Sequence, residues 1–163
     1  MQKDFQFKAS IIIPVLNEEN FIEDCIESIF GNTDDIEEME VIIIDGGSKD
    51  KTVEIIKNIS SRYKNVILLH NPKKITPISL NLAIKESSGE FIIRLDAHAL
   101  YSKNYINKCI RVLENSGDDI GNVGGFIETK PSKFSIFSKA VSLCLSNVFG
   151  VGMSKFRISK PAE

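Results

Sequence analysis

The residues best suited to chemistry lie in the stretch 91–102, Phe-Ile-Ile-Arg-Leu-Asp-Ala-His-Ala-Leu-Tyr-Ser. An apolar run from Phe91 to Ile93 leads to Asp96, and His98 follows two positions later on the same side of an extended backbone. Asp96 offers a hard carboxylate oxygen, and His98 an imidazole that manganese accepts more readily than magnesium or calcium. Such a pair can hold a divalent metal, and the metal can hold a diphosphate. A second cluster is Asp45-Gly-Gly-Ser-Lys-Asp50. Its glycines let a ligand approach the backbone, and Asp45 can accept hydrogen bonds from a base or a sugar. The same turn also reads as a helix start capped by Ser48 or Asp50. The chain lacks G-x-x-x-x-G-K-[ST], and no G-x-G-x-x-G joins its first strand to a helix. A nucleotide bound here needs another way to neutralise its diphosphate, and a divalent metal is the usual one.

The elements that must position these residues alternate. Ser10 to Pro14 reads as a buried strand, followed by a turn at 15–20 and a helix with Phe21, Ile22, Cys25, Ile26, Ile29 and Phe30 on one broad face. Asn17 is the expected N-cap of that helix and Gly31 its stop. An acidic loop, Asp34–Glu40, precedes a second apolar strand, Val41 to Asp45, and a helix turning Val53, Ile56 and Ile59 inward. Val66 to Leu69 is the third strand, ending at His70-Asn71-Pro72. Thr76-Pro77 opens a third helix that Gly89 closes. Phe91 to Leu95 is the fourth strand, Ser102 caps a helix carrying Tyr105, Ile106, Cys109, Ile110 and Leu113, and Asn122 to Glu128 is a fifth strand. Strands apolar on both faces, joined through helices, predict an α/β fold: a Rossmann-like, mostly parallel sheet covered by helices on both sides. In such sheets ligands bind beyond the carboxyl ends of the strands, where strand order reverses. Pro14 to Glu18, Asp45 to Asp50, His70 to Lys74 and Asp96 to His98 are therefore expected on one edge.

Composition narrows the class. The 163 residues are 42% hydrophobic and 26% charged, with a net charge of −2, values of an ordinary globular domain with no electrostatic case for nucleic acid. Cys25, Cys109 and Cys144 show no Cys-x-x-Cys spacing and read as buried free thiols of a reducing cytoplasm rather than disulfides or a zinc site. No uninterrupted apolar run approaches the roughly 20 residues of a membrane span. Neither repeats nor linkers interrupt the chain, which is read as one domain over 1–163, with 134–163 a peripheral helical or loop segment.

Taken together, the motifs resemble glycosyltransferase family 2, inverting enzymes of the GT-A fold. Ile11-Ile-Ile-Pro-Val-Leu-Asn-Glu18 is similar to that family's opening strand and Asn-Glu turn. Val41-Ile-Ile-Ile-Asp-Gly-Gly-Ser-Lys-Asp50 with Thr52 resembles its D-G-S-x-D-x-T element. Asn81 and Ala83, Gly89-Glu90 and Asp96-Ala-His98 stand where the family has N-x-[GA], G-[DE] and D-x-D. The Asp-Ala-His-Ala form, with Phe149-Gly-Val-Gly152 and Phe156-Arg157, resembles the branch that builds succinoglycan-type exopolysaccharides. His98 replaces the commoner Asp, and Leu80 stands where many members carry Arg.

The resemblance implies that Pro14, Asn17 and Glu18 line a nucleotide pocket, that Asp45 contacts uracil or ribose, and that Ser48 and Asp50 shape the turn. Lys73 or Lys74 reaches the nucleotide, with Lys73 taken as the donor-binding residue alongside Asn81. Asp96 and His98 are the implied ligands of a Mn²⁺ or Mg²⁺ ion. The implied activity is transfer from a UDP-sugar to a saccharide or polyprenyl-linked saccharide acceptor in cell-surface polysaccharide synthesis, in the cytoplasm or at the inner face of the plasma membrane, with peripheral association. No motif matches the family's catalytic base, which is expected beyond Glu163, so the chain is read as an N-terminal donor-binding piece, incomplete at its C-terminus. The alternatives are a binding-only nucleotide-sugar domain and a flavodoxin-like magnesium-binding domain.

Overall fold

The computed structural model describes residues 5–117, 119–130 and 136–147. The chain divides into two compact units, residues 1–111 and 112–163. The first alternates strand and helix: β1 (Phe7–Val15), α1 (Ile22–Asn32), a 3-10 turn (Ile36–Glu38), β2 (Met39–Asp45), α2 (Thr52–Arg62), β3 (Val66–His70), α3 (Thr76–Glu86), β4 (Gly89–Arg94) and α4 (Tyr105–Glu114). The strands pair in parallel in the order β3-β2-β1-β4. The chain winds outward from β1 to β3 and then returns to the far side of β1. Strand order therefore reverses between β1 and β4, and the carboxyl ends of those two strands flank the natural binding crevice.

The isoleucines of the central strands explain the two-sided covering. Ile11, Ile13, Val41 and Ile43 pack on one face against α1, α2 and α4, through Ile26, Ile29, Ile56, Ile59 and Ile106. Ile12, Ile42 and Ile44 pack on the other face with Leu69, under Leu80, Leu82 and Ala83, of which the last three belong to α3. Full burial of one such side chain contributes about 1.5–3 kcal/mol. The outer strands depart from the expectation of burial on both faces: Ile67 of β3 and Ile92 of β4 are exposed.

At the amino ends of the strands lies a polar cluster that the acidic stretch 34–40 concealed. Glu40 belongs to β2 and is buried. Its Oε1 accepts the Ser10 hydroxyl at 2.6 Å, the Ser88 amide at 2.6 Å and the Ser88 hydroxyl at 2.9 Å. The Gly89 amide donates to Ser10 Oγ at 2.8 Å. This network ties β1, β2 and β4 together at the edge opposite the binding crevice.

Several local expectations change. Asn17 does not cap α1, which begins at Ile22 after Phe21, and Gly31 does not stop it, because the helix runs to Asn32. Thr76 is the first residue of α3, after an N-cap at Ile75. Gly89 opens β4 rather than closing α3, and Ser102 precedes α4 by a turn in which its carbonyl accepts the Tyr105 amide at 3.1 Å.

In the second unit, Asn122–Glu128 is irregular and not a fifth strand. Adjacent glycines at 124 and 125 carry no side chain to pack and lose much conformational freedom when ordered, and Ile127 is exposed. Helix α5 (Ile136–Leu145) exposes Ile136, Phe137 and Leu143. Of the cysteines, Cys25 is buried and Cys109 half-buried, but Cys144 is exposed, contrary to expectation. The anticipated segment 134–163 is described only over 136–147; residues 148–163, with the Phe149–Gly152 and Phe156-Arg157 motifs, lie outside the described residues. Among the described residues no helix is long and apolar enough to cross a membrane.

Candidate functional site

Two loops at the carboxyl edge are bonded together before any ligand is considered. After β1 the chain turns through Asn17 in the left-handed region, φ 56°, a conformation asparagine tolerates better than most residues. The Asn17 amide donates to Ser48 Oγ at 2.9 Å, and Asn17 Oδ1 accepts the Lys49 amide at 2.8 Å. The Glu18 amide donates to Thr52 Oγ1 at 2.8 Å and the Glu19 amide to Asp50 Oδ2 at 3.1 Å. In return Glu19 Oε2 accepts the Lys51 amide at 2.9 Å. Asp50 Oδ1 also accepts the amide and hydroxyl of Thr52 at 3.0 and 2.6 Å, anchoring the start of α2. Asn17, Ser48 and Asp50 thus form the frame that joins the β1–α1 and β2–α2 loops.

Asp45 ends β2 with its side chain only 6% exposed. It accepts the Gly47 amide at 3.0 Å and the Ser48 amide at 2.9 Å, and His70 Nδ1 lies 3.3 Å from Oδ2. Burial by itself would raise its pKa, but the bonds from Ser48, Gly47 and His70 outweigh it and hold the carboxyl below its usual range. A carboxylate depressed in the folded state stabilises the fold above its unfolded pKa, and that stabilisation disappears as pH falls through the lower folded value. The stability difference between wild type and Asp45→Asn is therefore expected to be constant from pH 7 to 5. It should shrink as pH drops below about 4, as read by urea unfolding across pH.

Beyond these loops a cleft of about 320 Å³ opens where strand order reverses. Pro14, Val15, Leu16 and Glu18 form the β1 side, Gly46 the floor beside β2, Lys74, Thr76 and Ser79 the β3–α3 side, and Arg94, Asp96, Ala97 and His98 the β4 side. Asn71 holds the β3–α3 segment in place: its amide donates to the Asp45 carbonyl at 2.8 Å, and its side-chain nitrogen donates to the Ile75 carbonyl at 3.0 Å and Ser79 Oγ at 2.9 Å. Lys74, in the left-handed region at φ 57°, lies against Gly47, where a Cβ would meet Lys74 Cε at 3.0 Å.

The β4 side carries the carboxylate and imidazole. Tyr101 holds the Asp96 backbone by accepting its amide at 2.8 Å and donating to its carbonyl at 3.1 Å. Cys25 Sγ lies 3.6 Å from the same carbonyl. Burial, with the Glu18 charge adding to it, pushes the Cys25 thiol up to about 12, so it stays protonated. The Asp96 side chain is 53% exposed and its Oδ1 lies 3.2 Å from Arg94 Nη2. His98 Nδ1 is 3.4 Å from Glu18 Oε1.

Of the residues anticipated from sequence, Pro14, Glu18, Asp96 and His98 come together in this cleft. Asn17, Ser48 and Asp50 support it from the frame, and Asp45 sits beneath the Gly46-Gly47 turn. Lys74, not Lys73, lines the cleft; the Lys73 amide instead donates to Asn71 Oδ1 at 3.0 Å. Asn81 is exposed on α3 and is not part of the lining. Arg94, Thr76, Ser79 and Tyr101 were missed. Arg94 had a readable signal, since it stands two positions before Asp96 on the same side of an extended strand.

Among the described residues no group of three or more His, Cys, Asp or Glu side chains is gathered as a metal cage. Asp96 and His98 both line the cleft, the first beside Arg94 and the second beside Glu18, and a carboxylate and an imidazole are donor types that could hold a divalent cation.

A parallel sheet in this order, with its cleft at the reversal, is common to doubly wound nucleotide-binding folds, and the solved structures it superposes on identify it as the GT-A fold. S. aureus TarS 1-349 in complex with UDP superposes with a TM-score of 0.59 at 22% identity, covering 66% of this chain and 32% of TarS. The mannosyltransferase PcManGT from Pyrobaculum calidifontis, in complex with GDP-Man and Mn²⁺, gives 0.56 at 22% identity, covering 61% and 30%. Residues 10–139 match glycosyl transferase family 2, and the chain belongs to that family. The succinoglycan biosynthesis protein ExoA of Rhizobium meliloti is 32% identical over 150 residues, covering 90% of this chain and 44% of ExoA. The chain thus spans less than half the length of this relative.

Proposed function

We propose that this chain is the donor-binding part of an inverting, metal-dependent glycosyltransferase that takes a UDP-sugar and serves a saccharide or polyprenyl-linked saccharide acceptor. The observation that carries the reading is the convergence of Glu18, Lys74, Asp96 and His98 on one cleft at the strand-order reversal. The UDP in the TarS structure, the GDP-Man and Mn²⁺ in the PcManGT structure and the succinoglycan role of ExoA support it.

In this reading Asp96 and His98 hold the cation, which supplies Lewis-acid stabilisation to a leaving diphosphate when bound. Lys74 adds a fixed positive charge to the same cleft. Tyr101 fixes the backbone that carries Asp96, and Pro14 and Leu16 give the wall an apolar surface. Asp45, outside the cleft lining, acts on the base and ribose through the Gly46-Gly47 turn that it holds. The general base is left to residues other than Glu128, which is exposed in the second unit.

Calorimetric titration of the 163-residue chain with UDP is expected to show binding that tightens about tenfold, or ~1.4 kcal/mol, on adding Mn²⁺. Asp96→Asn should remove the Mn²⁺ dependence and leave the unfolding midpoint in place, because the side chain is more than half exposed. A folded wild-type chain whose UDP binding ignores Mn²⁺ would overturn the reading.

A further inference from the structure

Arg94 has a relation to Asp96 that a cation-binding carboxylate cannot keep. Arg94 pairs across β1 with Ile12, at the reversal of strand order, and lines the cleft. Its Nη2 contacts Asp96 Oδ1 at 3.2 Å, with the two side chains 57% and 53% exposed. Among the described residues Asp96 is the only polar partner of its side chain. An ion pair this exposed contributes little, so a divalent cation displaces it at small cost. The permanent charges of the lining are two carboxylates, Glu18 and Asp96, against two cations, Lys74 and Arg94. A doubly charged ion on Asp96 would sit beside a guanidinium at contact distance, an arrangement that like-charge repulsion disfavours. The planar fork of arginine matches a phosphate as well as a carboxylate.

We infer that Arg94 is an exchangeable counter-ion: it occupies Asp96 in the free protein, leaves when a divalent cation binds, and transfers to the diphosphate that arrives with the cation. This rests on the donor-site reading and adds a positioning residue to it. The lining is balanced in the free protein and again when cation and diphosphate are both bound, and their binding is cooperative, because the group that hinders the first assists the second.

The test is a pair of titrations on wild type, Arg94→Gln and Arg94→Lys. Free Mn²⁺ is followed by electron paramagnetic resonance in the absence of nucleotide, and UDP binding by calorimetry at saturating Mn²⁺. Arg94→Gln is expected to bind Mn²⁺ alone about three- to fivefold more tightly than wild type, the loss of one competing exposed pair. At saturating Mn²⁺ it should bind UDP about tenfold more weakly, the loss of one charge-assisted contact. Arg94→Lys, which keeps the charge, should stay within about twofold of wild type for Mn²⁺. A merely structural role would weaken both ligands together. Mn²⁺ affinity unchanged or lower in Arg94→Gln, or UDP affinity unchanged, overturns the assignment while wild-type Mn²⁺-dependent UDP binding stands. Absence of that wild-type binding removes the donor-site reading and this inference with it.

Discussion

Gly89→Ala is expected to destabilise the first unit by about 3 kcal/mol or more, the upper part of the range for overfilling a packed site. Gly89 is the first residue of β4 and is paired in register with Phe7 of β1. A Cβ at this position would lie 2.4 Å from the Ser10 amide nitrogen, 2.5 Å from the Ala9 carbonyl carbon and 2.7 Å from Ser10 Oγ. Two of these are backbone atoms of a central strand, so no side-chain rotation relieves the clash. Separating β4 from β1 would also stretch the Gly89 amide bond to Ser10 Oγ and loosen the cluster around Glu40. Urea unfolding measures the effect. A midpoint equal to that of the wild type would mean that β4 can shift away from β1 without loss, and would remove the steric account.

Asp45→Ala is expected to reduce stability by about 1.5–3 kcal/mol, the range for removing hydrogen bonds to a charged group. The buried carboxylate ties the turn after β2 to the end of β3: the Gly47 and Ser48 amides and His70 gather on its oxygens. With it gone, the turn that supports Lys74 and the cleft floor at Gly46 loses its internal anchor. Under the donor-binding proposal, UDP affinity should fall at least about tenfold, or ~1.4 kcal/mol, measured below the lowered unfolding temperature. Asp45→Asn keeps one acceptor oxygen and should lie between alanine and wild type in both measurements. Unchanged UDP affinity with lowered stability would restrict Asp45 to shaping the turn.

The fold class was legible because β1 and β2 are runs of isoleucine buried on both sides and alternate with helices, a combination that suits a covered parallel sheet. The segment 122–128 misled because apolar residues around Gly124-Gly125 resemble a short strand, and local periodicity carries no information on whether a pairing partner exists. Asn17 read as a helix cap by residue type, yet its left-handed backbone turns its side chain to Lys49, a bond across 32 positions. Glu40 read as a loop acid because its partners Ser10 and Ser88 are remote in sequence. The choice between Lys73 and Lys74 depended on a single left-handed residue that no composition rule specifies. Asp96 and His98 were readable from residue type and from their place just past β4, but the backbone there is not the extended run expected: residues 97 and 98 form a turn in which the Ala99 amide donates to the Asp96 carbonyl at 3.3 Å.

The frame built by Asn17, Glu19, Ser48, Asp50 and Thr52 has a consequence for how any ligand is received. Those side chains have already given up their rotamer freedom to one another, so the loop behind them, which carries the Glu18 side of the cleft, is held in place before an encounter. Ordering a flexible side chain at a binding surface costs about 0.5–1.5 kcal/mol, and this loop avoids that entropy loss. The groups left to settle on arrival are the exposed ones opposite, above all Arg94 and His98. Binding to such a site should resemble a hand closing against a fixed plate, with its entropy cost concentrated on the side that carries the charge.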